Sequence, residues 1–206
     1  MGVGIDLRSL LGPARDQGPR QTCLSFAVSD AHRASRRHGV DFSAECLHLR
    51  ACAVLDQPLE EAVSPFATAR VLENFGQVEE EAWPYGSSAA SMNDSPAFKA
   101  RQAASGFAPL LVRDALQNGQ PVVSTLAIGG EFWGVEDQAG LLRARVLPIE
   151  ACHAVVIIAV CETDEGAVYL LRNSWGKAWG QAGHVWAHAD YMQEATLACL
   201  TIEELN

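Results

Sequence analysis

The sequence predicts an α+β protein in which a helical first half packs on a β-rich second half. Three segments before residue 76 carry apolar residues at helical spacing, whereas continuous apolar runs typical of buried strands dominate after residue 120. The length of 206 residues, without an internal repeat, is enough for one domain with a sizeable core. We therefore expect a single domain over 1–206, with a helical lobe at about 12–109 and a β lobe at about 110–206.

The elements follow in chain order from these patterns. Residues 12–22 are rich in turn formers and predict a loop, and Thr22 is a candidate N-cap for the helix that follows. Residues 77–109 contain few periodic apolar positions and are expected to be irregular. The predicted helices cover residues 23–38, a stretch beginning after 43, 65–74 and 110–118. The predicted strands cover 121–128, 153–160, 168–172, 183–187 and 197–202.

Composition excludes several classes of function. The net charge is −10, from 25 acidic and 15 basic residues, whereas binding to nucleic acid or an anionic membrane needs clustered Lys and Arg. No run of 18 apolar residues predicts a transmembrane helix, and residues 1–11 do not resemble a secretory signal. We therefore expect no nucleic-acid or membrane partner, and six cysteines that remain reduced thiols.

One cysteine occupies a position suited to nucleophilic chemistry. Cys23 lies at the predicted start of a helix, where the positive end of the helix dipole favours the thiolate and lowers the thiol pKa. Gln17, six positions upstream, could donate to an oxyanion together with the Cys23 backbone N–H. His153 and Asn173 follow Cys23 by 130 and 150 residues. These separations match the arrangement of papain-type enzymes, with His and Asn about 130–150 residues after the nucleophile.

Five short motifs in this order resemble papain-like cysteine peptidases and together cover nearly the whole chain. They are DQG at 16–18 before CLSFA at 23–27, SAE at 43–45, EEAWPY at 80–85, HAV at 153–155 and NSWG at 173–176. The resemblance implies a two-lobe fold, with a helical N-terminal lobe, a C-terminal antiparallel lobe similar to a β-barrel, and an active-site cleft between them.

The resemblance also implies a role for each matching residue. Cys23 would be the nucleophile, and His153 would act as general base and then as general acid. Asn173 would orient the imidazole, Gln17 would complete the oxyanion hole, and Trp175 would cover the Asn–His hydrogen bond. The implied activity is hydrolysis of peptide bonds in protein or peptide substrates through a thioester, without a cofactor or a metal.

The sequence departs from the family pattern at several positions. Arg20 stands where many secreted members have a disulfide cysteine, Cys52 has no partner after Tyr85, and Leu24 replaces a usual Trp. No Cys-Asn-Gly-Gly segment occurs in 53–64, so substrate preference does not transfer. These departures indicate a signal-less, disulfide-poor, bacterial-type member that works in the cytoplasm or another reducing compartment.

No inhibitory segment is recognised before Asp6. Either such a segment has been removed, or activity is controlled in another way, such as by a cognate inhibitor or immunity protein or by location. A role as a toxin or effector domain delivered into another cell by a signal-independent route is a further expectation.

The sequence leaves three alternatives open. A transglutaminase or deamidase would use the same Cys–His–Asn set with a different acceptor or amide. An inactive binding module would keep the fold and lose the chemistry. Two sets of side chains resemble zinc ligands but lack a paired Cys-x-x-Cys spacing. They are Cys46, His48 and Cys52, and Cys152, His153 and Cys161.

Overall fold

Helices fill the first half of the chain and most strands lie in the second half. The computed structural model describes residues 4–87, 96–135, 140–145 and 147–205. The helices are α1 (Cys23–Ser35), α2 (Ala44–Leu55), α3 (Pro65–Asn74), α4 (Pro109–Gln117), α5 (Gly130–Trp133) and α6 (Ala189–Ala195), with a short 3-10 turn at Arg8–Leu10. The strands are β1 (Ile5–Asp6), β2 (Ala100–Ser105), β3 (Val122–Ile128), β4 (Leu141–Leu142), β5 (Ala151–Thr163), β6 (Gly166–Arg172), β7 (His184–His188) and β8 (Thr196–Glu204). This arrangement confirms the α+β prediction.

All described strands join one mostly antiparallel sheet. Its order is β2-β8-β3-β5-β6-β7-β4, and β1 pairs with β5 outside this path. The pairing of β4 with β7 is parallel. Because β2 and β4 do not pair with each other, the described strands form an open sheet, and the expected closure towards a barrel is wrong.

The central strand β5 is buried on both faces, which explains why its sequence is an almost unbroken apolar run. Its residues alternate between two cores because side chains of a strand point to opposite faces. Ala154, Val156 and Ile158 pack with the helices of the first half, whereas Val155 and Ile157 pack with the core on the other face. The strand therefore joins the helical lobe to the β lobe.

Local capping chemistry explains where α2 and α3 begin. The hydroxyl of Ser43 accepts a hydrogen bond from the backbone N–H of Cys46 (2.9 Å), and Ser64 accepts from Ala67 (3.3 Å). Pro65, whose missing N–H needs no partner, stands at the first position of α3. Thr22 precedes α1 as predicted, but its hydroxyl makes no capping bond and contacts the Tyr85 hydroxyl at 2.8 Å.

One strand lies inside the segment that was expected to be irregular. β2 pairs with β8 along six residues at the edge of the sheet. Its sequence, Ala-Arg-Gln-Ala-Ala-Ser, contains no β-branched or aromatic residue, so propensity does not predict it and the pairing partner decides it. The part of this segment at 88–95 falls outside the described residues. No helix in the described part of the chain is long and apolar enough to cross a membrane.

Candidate active site

A cleft of about 580 Å³ lies where the start of α1 meets the start of β5. Gln17, Cys23, His153 and Trp175 line this cleft. Asn173 lies behind His153 and is 2 % exposed. The structure thus brings all five sequence-predicted site residues together, although they come from three distant parts of the chain.

Cys23 is the first residue of α1 and is half-buried. Burial raises the pKa of its thiol, although hydrogen bonds from the backbone N–H groups of Ala154, Leu24 and Cys23 itself lower it. Backbone N–H groups therefore do lower the pKa of the Cys23 thiol, as expected at the start of a helix, but the effect of burial is larger. The resting sulfur is consequently favoured as a neutral thiol.

His153 is held by one short hydrogen bond. Its Nε2 lies 2.7 Å from Oδ1 of Asn173, and because an amide oxygen can only accept, Nε2 must carry the proton. The same oxygen accepts from the backbone N–H of Ser174 at 2.8 Å, which fixes the amide orientation. The bonded Nε2 leaves Nδ1 as the nitrogen that can exchange a proton within the cleft. Burial lowers the pKa of His153 to about 4, although the Asn173 bond opposes this shift.

The side chain of Gln17 is buried and tightly held. Its Oε1 accepts from the Ser174 hydroxyl at 2.6 Å, and its Nε2 donates to the Arg20 carbonyl at 2.7 Å. The backbone N–H of Gln17 donates to the Ser174 carbonyl at 2.8 Å. An amide nitrogen carries two hydrogens, so one remains available for a ligand in the cleft that Gln17 lines.

Aromatic rings cover the His153 side of the cleft. The ring centroid of His153 lies 4.5 Å from that of Trp175 and 5.6 Å from that of Phe132. Trp133 stacks on Trp175 at 4.9 Å with only 5° between the ring planes, and it is 48 % exposed at the cleft. These rings keep water away from the His153–Asn173 hydrogen bond.

The sequence did not identify Trp133, Phe132 or Cys152 as parts of this site. The first two belong to a Gly-Gly-Glu-Phe-Trp run at the end of β3, which gives no recognisable signal without the sheet register. Cys152 precedes His153, is exposed and lines the cleft, so a second thiol lies near Cys23. In the described part of the chain, no three His, Cys, Asp or Glu side chains could together hold a metal ion, and neither candidate zinc set forms a cluster.

The model of the papain family cysteine protease matches residues 4–201. The chain belongs to this family. Cysteine proteinase 3 of Entamoeba histolytica is 25% identical over 190 residues, which cover 87% of this chain. The match covers 60% of the length of that relative.

Solved papain-family structures share the fold across the full chain. Xylellain, a cysteine protease from Xylella fastidiosa, superposes with a TM-score of 0.79 at 19% identity, covering 100% of this chain and 87% of that one. Bromelain from Ananas comosus, solved in complex with the E64 inhibitor, gives a TM-score of 0.75 at 17% identity, with 100% of both chains covered. The open sheet and helical lobe described above are therefore those of a papain-like fold.

Proposed function

We propose that this chain is a cysteine peptidase that hydrolyses peptide bonds in protein substrates through a thioester on Cys23. The observation that carries this proposal is the His153–Asn173 hydrogen bond at 2.7 Å beside a cleft that Cys23, His153 and Gln17 line together. A nucleophile and a base in one cleft, with an orienting acceptor behind the base, are the parts that acyl transfer requires.

The first half of the reaction forms the thioester. Sγ of Cys23 attacks the carbonyl carbon of the scissile bond while its proton passes to Nδ1 of His153. Burial lowers the pKa of His153 to about 4, so the resting imidazole is neutral at pH 7 and the lone pair of Nδ1 is free to receive that proton. Gln17 and the Cys23 backbone N–H would donate to the oxyanion as charge develops on it. When the C–N bond breaks, the proton moves from Nδ1 to the leaving amine.

The second half releases the acyl product. His153 takes a proton from water, the hydroxide attacks the thioester carbon, and the carboxylic acid product leaves as the Cys23 thiol recovers its proton. The imidazolium exists only transiently in both halves. Asn173 matters throughout because its oxygen holds Nε2–H and keeps the ring in one tautomer.

The direction of proton transfer indicates which side of the cleft holds the leaving amine, and we call this the leaving side. Since His153 delivers the proton to the leaving amine, the residue after the scissile bond lies on the His153 side, next to Trp175 and Trp133. The exposed face of Trp133 therefore offers apolar contact to that residue of the substrate.

Sequencing of new N-termini after incubation with a denatured protein mixture tests this proposal. We expect new N-termini with the natural protein and none with Cys23→Ala. A Cys152→Ser variant is the matched control, because it removes the other thiol of the cleft and should still cleave. A glutamine mass increase of 1 Da without cleavage would replace the proposal with deamidation. A folded protein that binds its target but leaves Cys23 unreactive would replace it with a binding module.

We also propose that the protein works where thiols stay reduced. All six cysteines are reduced thiols in the structure. Delivery into another cell as an effector, with a cognate inhibitor protein as partner, is a further proposal that rests on the sequence pattern alone. Growth arrest on expression of the natural chain in a cytoplasm, abolished by Cys23→Ala, would support it, whereas unimpaired growth with active enzyme present would contradict it.

A further inference from the structure

A buried carboxylate lies where the three segments of the site meet. Asp30 stands on α1 seven residues after Cys23, which is about two helical turns and the same face of the helix. Asp30 is 5 % exposed, and two guanidinium groups contact its carboxylate. Neither Asp30 nor these two arginines lines the cleft.

Asp30 makes two ion pairs, which we call its two arms. The first arm, to Arg172, leads to Asn173. Nε of Arg172 donates to Oδ2 of Asp30 at 2.7 Å, and Arg172 directly precedes Asn173 in the chain. The other two nitrogens of Arg172 donate to the carbonyls of Gly12 and Pro13, both at 2.8 Å. Arg172 is 2 % exposed, so its guanidinium group is buried and its bond to Asp30 is shielded from water.

The second arm leads to Gln17. Arg15 donates to Oδ1 of Asp30 from Nη2 at 2.8 Å and from Nε at 3.1 Å, and it stands two residues before Gln17. Its carbonyl accepts from the backbone N–H of Gly176 at 2.9 Å. Arg15 also lies 3.6 Å from a carboxylate oxygen of Glu80.

The charges of Asp30, Arg15 and Arg172 compensate one another in the folded protein. Burial raises the pKa of Asp30, but Arg15 and Arg172 outweigh that effect and hold it below its usual value of 3.8. Without the carboxylate, two largely buried guanidinium groups would lie close together, which is strongly unfavourable. The two oxygens of Asp30 therefore tie both arginines to one point on α1.

We propose that Asp30 is a positioning residue: through Arg15 and Arg172 it holds Gln17 and Asn173 in register with Cys23 at the start of the same helix. This inference rests on the proposed function. Each arm ends within two residues of a predicted site residue, and each is anchored on a separate oxygen of one carboxylate. Because Asp30 lies on a rigid helix, its bonds to Arg15 and Arg172 fix the distances of Gln17 and Asn173 from Cys23, which the two segments alone would leave adjustable.

The isosteric variant Asp30→Asn tests the proposal. An amide has one acceptor oxygen, so its NH₂ group must face one arginine as donor against donor, and one arm is released. We expect kcat to fall about 10- to 100-fold with KM within twofold of the natural protein, because the released groups act on the reacting atoms and not on substrate binding. Glu204→Gln is the matched control, since it removes the carboxylate that lies 3.6 Å from Arg36, the residue directly after α1, away from the site.

Two further variants separate the arms by a reaction that needs no substrate. Alkylation of Cys23 by iodoacetamide forms no oxyanion, so it reports on the thiol and His153 but not on Gln17. We expect Arg172→Met to slow both cleavage and alkylation, and Arg15→Met to slow cleavage while alkylation stays within twofold. Both measurements are made in a Cys152→Ser background, so that the exposed thiol does not contribute.

A triple variant guards against misfolding as the explanation. Buried ion triads can be replaced by apolar residues of similar volume without loss of stability. We expect Arg15→Met/Asp30→Leu/Arg172→Met to unfold cooperatively and to cleave at least tenfold more slowly. Natural activity in a folded triple variant, or losses that follow Tm alone across all variants including Glu204→Gln, would overturn the proposal. Absence of cleavage by the natural protein would instead contradict the proposed function, and the alkylation rates would still test the positioning role.

Discussion

Replacing Asn173 with Ala removes the acceptor that holds His153. In the natural protein Oδ1 of Asn173 lies 2.7 Å from Nε2 of His153, and the two residues are 2 % and 6 % exposed, so this hydrogen bond is buried. A buried donor left without its partner costs about 1–3 kcal/mol. If that cost falls on the transition state, in which His153 must be correctly aligned, kcat/KM decreases about 5- to 150-fold.

The assay is the initial rate on an internally quenched peptide that the natural protein cleaves, with iodoacetamide alkylation of Cys23 measured in parallel. Both rates should fall, because Asn173 acts through the imidazole that serves both reactions. Asn173→Asp is the matched variant: it keeps an oxygen at the same distance and should lose less activity than Ala. An Ala variant within twofold of the natural protein in both rates would refute this role for Asn173.

Three more measurements test other parts of the structure. Because burial lowers the pKa of His153 to about 4, kcat/KM should fall as the pH drops through about 4 and not through 6.5; an acid limb above pH 6.5 would contradict this. Trp133→Ala should reduce kcat/KM about 3- to 10-fold more for peptides with Phe than with Ala after the scissile bond, and equal losses would remove Trp133 from the leaving side. Gly183→Ala should destabilise by about 2–4 kcal/mol, since Gly183 has a φ of +85° and its added Cβ would meet Ala14. Thermal unfolding should then show Tm lower by at least about 4 °C, and an unchanged Tm would contradict that packing.

Much of the fold is predictable because its local signals agree with its tertiary structure. α3 occupies the predicted residues, and its start carries both a capping Ser64 and Pro65. A run of β-branched residues predicts β5, and the structure buries this strand on both faces. In these elements periodicity, caps and burial indicate the same structure.

The remainder depends on contacts that sequence does not encode locally. β2 has no strand propensity and exists because β8 offers a hydrogen-bonding edge. Trp133 belongs to the site only because the end of β3 lies across the sheet from His153, where Leu126 and His153 are register partners. The ion pair between Asp30 and Arg172 joins residues that are 142 positions apart in the sequence. No sequence motif predicts this pair or the pair between Asp30 and Arg15.

The pKa of the Cys23 thiol shows most clearly how the folded structure can reverse an expectation from sequence position. A helix start predicts a lowered thiol pKa for Cys23, and the backbone N–H groups do act in that direction. Burial against β5 outweighs them, so the structure favours a neutral thiol that passes its proton to His153 during attack. Burial is a property of the folded chain, and the sequence position alone does not predict it.

The most direct test of the central claim is intact mass after treatment with E64, the inhibitor bound in the bromelain structure. The natural protein and Cys152→Ser should each gain one inhibitor mass, with the modified peptide containing Cys23, and both should lose all cleavage. Cys23→Ala should gain none. Modification confined to Cys152, or full cleavage after Cys23 is modified, would contradict the assignment of Cys23 as the nucleophile.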